Sequence, residues 1–244
     1  MRTLPTTLDL ADTALFLDVD GTLLDIRDRP AEVTAEAQLI DLLGALSSAV
    51  DGALSLISGR SIAEIDRIFA PARFAAAGSH GAELRLHPRD EIDTTSHALP
   101  SDILSRLSEF AASHEGLLLE HKSGGASLHY RMAPELETRC RQLMDELMGE
   151  IEQDFRLIPG KMVLELAPRG HNKGQAIAAM MHRRPFAGRR PVFVGDDVTD
   201  EDGFVTVNAM RGISVHVGED PGSAAAYSLG SVADVRRWLE SIME

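Results

Sequence analysis

The chain has 244 residues, 44% of them hydrophobic and 25% charged, enough for a soluble domain with a real core and room for a smaller insertion. Its formal charge of −14, from 38 acidic and 24 basic side chains, argues against nonspecific nucleic-acid binding and makes any anionic ligand dependent on a few well-placed cations. A single cysteine, Cys140, excludes internal disulfides and a thiolate metal cluster.

Residues 1–21 contain no basic start followed by a long apolar run, so neither a signal peptide nor a membrane span is expected. With the lone thiol, this fits a cytoplasmic protein. The first continuous apolar run is residues 14–20 (ALFLDVD), the pattern of a parallel strand buried on both faces. It ends in Asp18-Val19-Asp20-Gly21-Thr22-Leu23. In extended backbone, residues two apart share a face, so Asp18 and Asp20 can address one point. Two adjacent carboxylates raise each other's pKa, and a hard cation such as Mg²⁺ relieves that repulsion. The alternative is a pair of capping acids that open a helix. A helix is expected over residues 31–46. The second apolar run, residues 53–58 (ALSLIS), ends in Ser58-Gly59-Arg60 ahead of a helix over 61–69. That junction offers a hydroxyl and backbone N–H donors to phosphate, or is a plain Ser-Gly cap.

Between residues 86 and 168 the texture changes. A helix is expected over 101–113, strands over 117–120 and 127–131 around an SGGA turn, and a helix over 134–151. A hairpin of 155–158 and 162–166 around a PGK turn follows. Cys140 lies in the second of these helices and reads as structural. Two helix-plus-hairpin units in tandem suggest a small α+β domain inserted into the core. The division is then core 1–86, insertion 87–168 and core 169–244. Alternation puts Glu120 and Lys122 on one strand face, with Arg131 on the partnering strand. On a regular strand Lys161 and Glu165 would also share a face. Such a wall of acids and bases suits a ligand rich in hydroxyls, or is a set of ordinary salt bridges on a solvated sheet. His129 joins it if its strand is regular.

Past the insertion, Lys173 opens a helix over 173–182 and supplies a point charge, unless it is an ordinary surface lysine. The third apolar run, residues 191–197 (PVFVGDD), precedes a helix over 201–210. The segment from Asp196 and Asp197 to Asp200 and Glu201 holds no Lys or Arg, so it is either solvated or binds a cation. Strand then helix, repeated, implies right-handed crossovers and a doubly wound, mostly parallel α/β sheet of Rossmann-like type. Ligands bind outside the carboxyl ends of such strands, where Asp18, Asp20, Ser58, Asp196 and Asp197 all fall. That shared edge favours the cation reading of both acidic groups.

DVDGT, SGR, Lys173 and GDDVTDE, in this order, resemble the haloacid-dehalogenase-like (HAD) phosphatases. Gly78-Ser79-His80-Gly81-Ala82-Glu83, then Glu120, Lys122 and Arg131, then Gly160-Lys161-Met162-Val163-Leu164-Glu165 and GDDVTDEDGF resemble the trehalose-6-phosphate phosphatase family. The resemblance runs from about Leu15 to the C-terminus. It implies a HAD core with an inserted cap, and an enzyme of trehalose biosynthesis whose substrate is a sugar phosphate, trehalose 6-phosphate. No obligate protein partner is implied. Asp18 would be the nucleophile that forms an aspartyl-phosphate, and Asp20 the general acid and then base. Ser58, Gly59 and Lys173 would bind phosphate. Arg60, His80, Glu120, Lys122, Arg131, Lys161 and Glu165 would contact substrate. Mg²⁺ would bind Asp18, the Asp20 carbonyl and Asp196, with Asp197 or Asp200 helping through water. His80 and Glu83 would position the cap, touch the sugar or brace Arg60. Related caps act on sucrose 6-phosphate or mannosyl-3-phosphoglycerate, so the identity of the sugar rests on the cap segments. A phospho-acceptor signalling domain also sets an Asp and a Lys on a parallel sheet, but lacks the second Asp and the cap. Gly203 and Ser123-Gly124-Gly125 depart from the family pattern away from the chemistry.

Overall fold

The structure is a computed structural model and describes residues 4–5, 7–26, 32–94, 98–122, 124–219 and 222–243. Met1–Thr94 with Asn172–Glu244 forms one compact unit and Thr95–His171 a second.

The first unit begins with β1 (Thr13–Asp18), buried at every position, as a strand covered on both faces must be. α1 (Ala37–Ala49) follows, burying Leu39, Leu43 and Leu46 at spacings of four and three. The helix expected over 31–46 starts later, because Glu36 is an extended N-cap; Ala31 lies outside the described residues. Next come β2 (Leu54–Ile57) and α2 (Ile62–Ile68), whose start is fixed by a capping box between Ser61 and Glu64. β3 (Ala75–Gly78), β4 (Glu83–Arg85) and β5 (Asp93–Thr94) complete this half. β4 pairs with β3 and β5 with β4, both antiparallel, so the core sheet continues to Thr94, past the expected border at 86/87.

The second unit holds α3 (Ser101–Ala112), β6 (Leu118–His121), β7 (Ala126–His129), α4 (Glu137–Ile151), β8 (Phe155–Gly160) and β9 (Val163–Pro168). Its antiparallel sheet runs β6-β7-β9-β8. One face packs on the helices through Leu128, Leu164 and Leu166 against Ile103, Leu107, Met144 and Leu147, and Cys140 sits in this core. Ser123 of the first hairpin lies outside the described residues. Because successive strand residues alternate, Glu120, Ser127, His129 and Glu165 occupy the opposite face of the sheet.

The chain returns to the first unit with α5 (Lys173–Met181), β10 (Arg190–Gly195), α6 (Glu201–Ala209), β11 (Ile213–Val217), β12 (Tyr227–Leu229) and α7 (Val232–Ser241). The completed sheet has the order β12-β11-β10-β1-β2-β3-β4-β5, parallel from β12 through β3. Gly203 allows α6 to close on β10, since a side chain there would overlap the ring of Phe193. β1 lies between β2 and β10, so the order of connection reverses beside β1. This is the switch point at which open α/β sheets form ligand crevices. Among the described residues no helix is long and apolar enough to cross a membrane.

Candidate active site

Asp18 is the last residue of β1, and Asp196 follows the last residue of β10, so both flank the switch point. Gly21, at φ +86°, lets the chain after β1 turn close beside Asp196; a Cβ there would overlap that carboxylate. Lys173, the first residue of α5, is buried and bridges two acids, with Nζ 2.7 Å from Asp18 Oδ1 and 2.7 Å from Asp200 Oδ1. The second oxygen of Asp200 accepts from the backbone N–H groups of Asp196 (3.1 Å) and Asp197 (2.9 Å), which shapes the acidic loop around it.

Asp18, Asp196 and Asp200 each offer a carboxylate oxygen, all within 4.8 Å of one another. Three carboxylates facing one ammonium leave two uncompensated negative charges, the quantity a divalent cation balances, and oxygen donors suit a hard ion. Burial pushes the Asp18 carboxyl well above its usual range; Lys173 pulls it down, while Asp200 and Asp196 push it further up. Burial opposes the charge on Lys173, yet Asp18 and Asp200 outweigh it and hold the ammonium protonated. The residues present therefore fit a divalent metal.

Of the acids expected at a metal, Asp18 and Asp196 come together, joined by Asp200, one of the two expected to help through water. Asp197 is the N-cap residue of the turn Val198–Asp200, and the carboxylate of Asp20 faces Arg60. Arg60, expected among the substrate contacts, places Nε 2.6 Å from Asp20 Oδ2 and Nη2 2.7 Å from Oδ1. Ser58 Oγ accepts the N–H of Arg60 at 3.1 Å. The loop Ser79–Gly81 runs through three successive positive φ angles, of 49°, 54° and 100°, and clamps this turn from above. Ser79 N–H donates to the Arg60 carbonyl (2.8 Å) and His80 N–H to that of Ser58 (3.1 Å), which brings the His80 ring over Gly59. Glu83 accepts from the Ile62 N–H at 2.7 Å and from Ser79 Oγ at 3.3 Å, joining the same loop to the start of α2.

In the second unit, Lys122 Nζ meets Glu165 Oε2 at 2.6 Å, Ser127 Oγ donates to the same oxygen at 3.0 Å, and His129 Nε2 lies 2.8 Å from Glu120 Oε2. Burial raises Glu120, but the His129 contact and the Lys122 charge win and lower it below the usual range. Ser127 lies between Glu120 and Glu165 in the register, and its small side chain leaves room above the central strand for Lys122 to reach Glu165. Arg131 Nη2 donates to the Lys161 carbonyl at 2.9 Å. Lys161 does not share a regular strand face with Glu165. It sits in the turn before β9, where Met162 takes φ +66° and breaks the alternation. Ser127, absent from the expected set, has no motif to mark it; His129 was legible from alternation alone.

A sequence model of trehalose-phosphatases matches residues 16–233. The chain belongs to the trehalose-phosphatase family. It is 43% identical over 233 residues to the trehalose-6-phosphate phosphatase of Escherichia coli (strain K12), covering 95% of this chain and 87% of that protein. It is 41% identical over 225 residues to a probable trehalose-phosphate phosphatase of Sinorhizobium fredii, covering 92% of this chain and 84% of that protein. A crystal structure of a trehalose-6-phosphate phosphatase related protein superposes with a TM-score of 0.79 at 27% identity, covering 94% of this chain and 96% of that one. Trehalose-phosphatase membership implies phosphatase chemistry on a sugar phosphate, with a divalent metal.

Proposed function

We propose that the protein hydrolyses trehalose 6-phosphate to trehalose and phosphate. The observation that carries this reading is the chain-long likeness to relatives named for that activity. The buried Asp18–Lys173–Asp200 bridge at the switch point supplies a site for it.

Asp18 attacks phosphorus through a carboxylate oxygen while the bond from phosphorus to the sugar oxygen breaks, leaving the phosphoryl group on Asp18. Asp20 gives its proton to the departing sugar oxygen. The Asp20 carboxylate then takes a proton from a water that attacks the phosphorus; the bond to Asp18 breaks and phosphate is released. Both acids are then back in their starting states. Lys173, the Ser58 hydroxyl and the backbone at Gly59 hold the phosphoryl oxygens as charge redistributes. Asp18, Asp196 and Asp200, with the Asp20 carbonyl, would hold a divalent cation, Mg²⁺, which when bound would neutralise charge on those oxygens.

The cap face reads the sugar. Glu120, Lys122, Ser127, His129 and Glu165 offer both donors and acceptors, with Arg131 and Lys161 at its edge, as neutral hydroxyls require. The core is 1–94 with 172–244 and the cap 95–171 in this reading, and the setting is cytoplasmic. Phosphate release measured over a panel of sugar phosphates, with and without Mg²⁺, tests it. Turnover of trehalose 6-phosphate above all others is expected. Rapid turnover of sucrose 6-phosphate or mannosyl-3-phosphoglycerate with none of trehalose 6-phosphate overturns the substrate.

A further inference from the structure

Arg60 makes an arrangement that phosphate binding does not require. From the turn that carries Ser58, its guanidinium reaches across to Asp20 and takes both oxygens of one carboxylate, at 2.6 and 2.7 Å. A two-pronged fork of this kind restricts carboxylate rotation in a way one contact cannot. Arg60 is itself held. Its N–H donates to Ser58 Oγ at 3.1 Å, its carbonyl accepts from Ser79 N–H at 2.8 Å, and Glu64 Oε1 lies 3.7 Å from Nη1. Its side chain is 10% exposed and that of Asp20 30%, so the fork is shielded on the Arg60 side while Asp20 stays open to a ligand. One turn thus carries both Ser58, assigned to phosphate in the reading above, and Arg60, which meets the acid.

We infer that Arg60 is a positioning residue for Asp20 and not a sugar contact. It holds the Asp20 carboxyl group in the orientation that serves the leaving sugar oxygen, and so governs the first half of the reaction. The inference rests on the phosphatase reading above. The two roles differ in what they move. A sugar contact acts on KM for the sugar ester. A positioning residue acts on kcat, and only where the leaving group needs a proton.

The experiment compares wild type with Arg60→Ala and Arg60→Lys on trehalose 6-phosphate and on 4-nitrophenyl phosphate, whose leaving group departs without a proton. Single-turnover release of nitrophenol isolates the first half-reaction. We expect Arg60→Ala to lower kcat for the sugar ester about 10²-fold with KM within about threefold, the size of a displaced general acid. Nitrophenol release should fall less than about threefold on the same scale. Arg60→Lys keeps the charge but loses the fork, so it should stay near the Arg60→Ala level, and added guanidinium should restore part of the Arg60→Ala loss. Equal losses on the two esters, a KM rise at constant kcat, or full activity in Arg60→Lys would each overturn the inference. If Arg60→Ala melts well below wild type, Arg60→Lys carries the same comparison. A wild type that prefers another sugar phosphate sinks only the substrate, and the variants are then read on that ester. A wild type inert toward every ester sinks both.

Discussion

The two polar regions of this chain are built on opposite principles of charge. At the core site, three carboxylates gather around a single lysine bridge between two of them and leave an acidic excess. On the open face of the cap sheet, acids meet bases, Lys122 with Glu165 and His129 with Glu120. An unbalanced cluster is costly unless something positive joins it, so it suits a cation and an anionic phosphoryl group held together. A balanced face is content without a ligand, yet it can exchange its internal contacts for hydroxyls of a neutral sugar. Trehalose 6-phosphate carries one moiety of each kind.

The contrast can be broken most sharply at Asp18. Replacing Asp18 with Asn should lower turnover of every phosphate ester by at least about 10⁴-fold, the scale set by losing a nucleophile, with the melting temperature retained. Persistent activity on any ester would remove the nucleophile from the core account. Chelation comes next. EDTA should abolish phosphate release and Mg²⁺ should restore it, and Mg²⁺ should raise the melting temperature of wild type but not of Asp196→Asn. A shift of equal size in both proteins would place the ion elsewhere.

The cap gives a smaller and more selective effect. Glu165→Gln removes the acceptor charge shared by Lys122 and Ser127, and should lower kcat/KM for trehalose 6-phosphate roughly 10- to 100-fold. Hydrolysis of 4-nitrophenyl phosphate should stay near wild type. A matching loss on both esters would mean that the cap face serves catalysis and not sugar reading.

The smallest effect concerns a balanced pair inside the core frame. Arg85, 1% exposed, forks onto both oxygens of Asp66 and onto the Phe74 carbonyl. Burial opposes ionisation of Asp66, but Arg85 and then Arg73 prevail and hold it below the usual carboxylate range. Its stabilisation is therefore complete above about pH 4 and is lost as pH falls through the lower folded value. Asp66→Asn should cost about 2–3 kcal/mol at neutral pH, less than a fully buried pair, and flatten this part of the acid-unfolding curve. Denaturant melts from pH 7 to pH 2 would check it; an unchanged acid slope would show that Asp66 contributes nothing.

The strands that carry the site were legible because each is a continuous apolar run ending in its own polar residues, as in ALFLDVD and PVFVGDD. β3 was not, since AAAG has no β-branched residue and becomes a strand through its parallel pairing with β2. β11 was hidden by Ser214 and His216, polar residues buried in mid-strand, and β4, β5 and β12 are too short to show a period. The cap's helices and hairpins read well from periodicity. Its first border did not, because β4 and β5 extend the core sheet beyond the point where the pattern changes.

By itself the sequence determined which residue types stand at the ends of β1, β2 and β10, because each motif is local and its strand dictates where it stops. It therefore named Asp18, Ser58, Lys173 and Asp196, and the family they resemble. Only the tertiary structure decided which of these side chains meet. Lys173 finds Asp18 across 155 positions, Arg60 finds Asp20 across 40, and Lys122 finds Glu165 across 43. Carboxylates and cations pair by geometry and charge among several nearby choices, and no local pattern encodes that selection. For this reason only the fold chose Asp200 from the Asp197/Asp200 alternatives to stand in the acidic cluster, and only the fold paired Arg60 with Asp20.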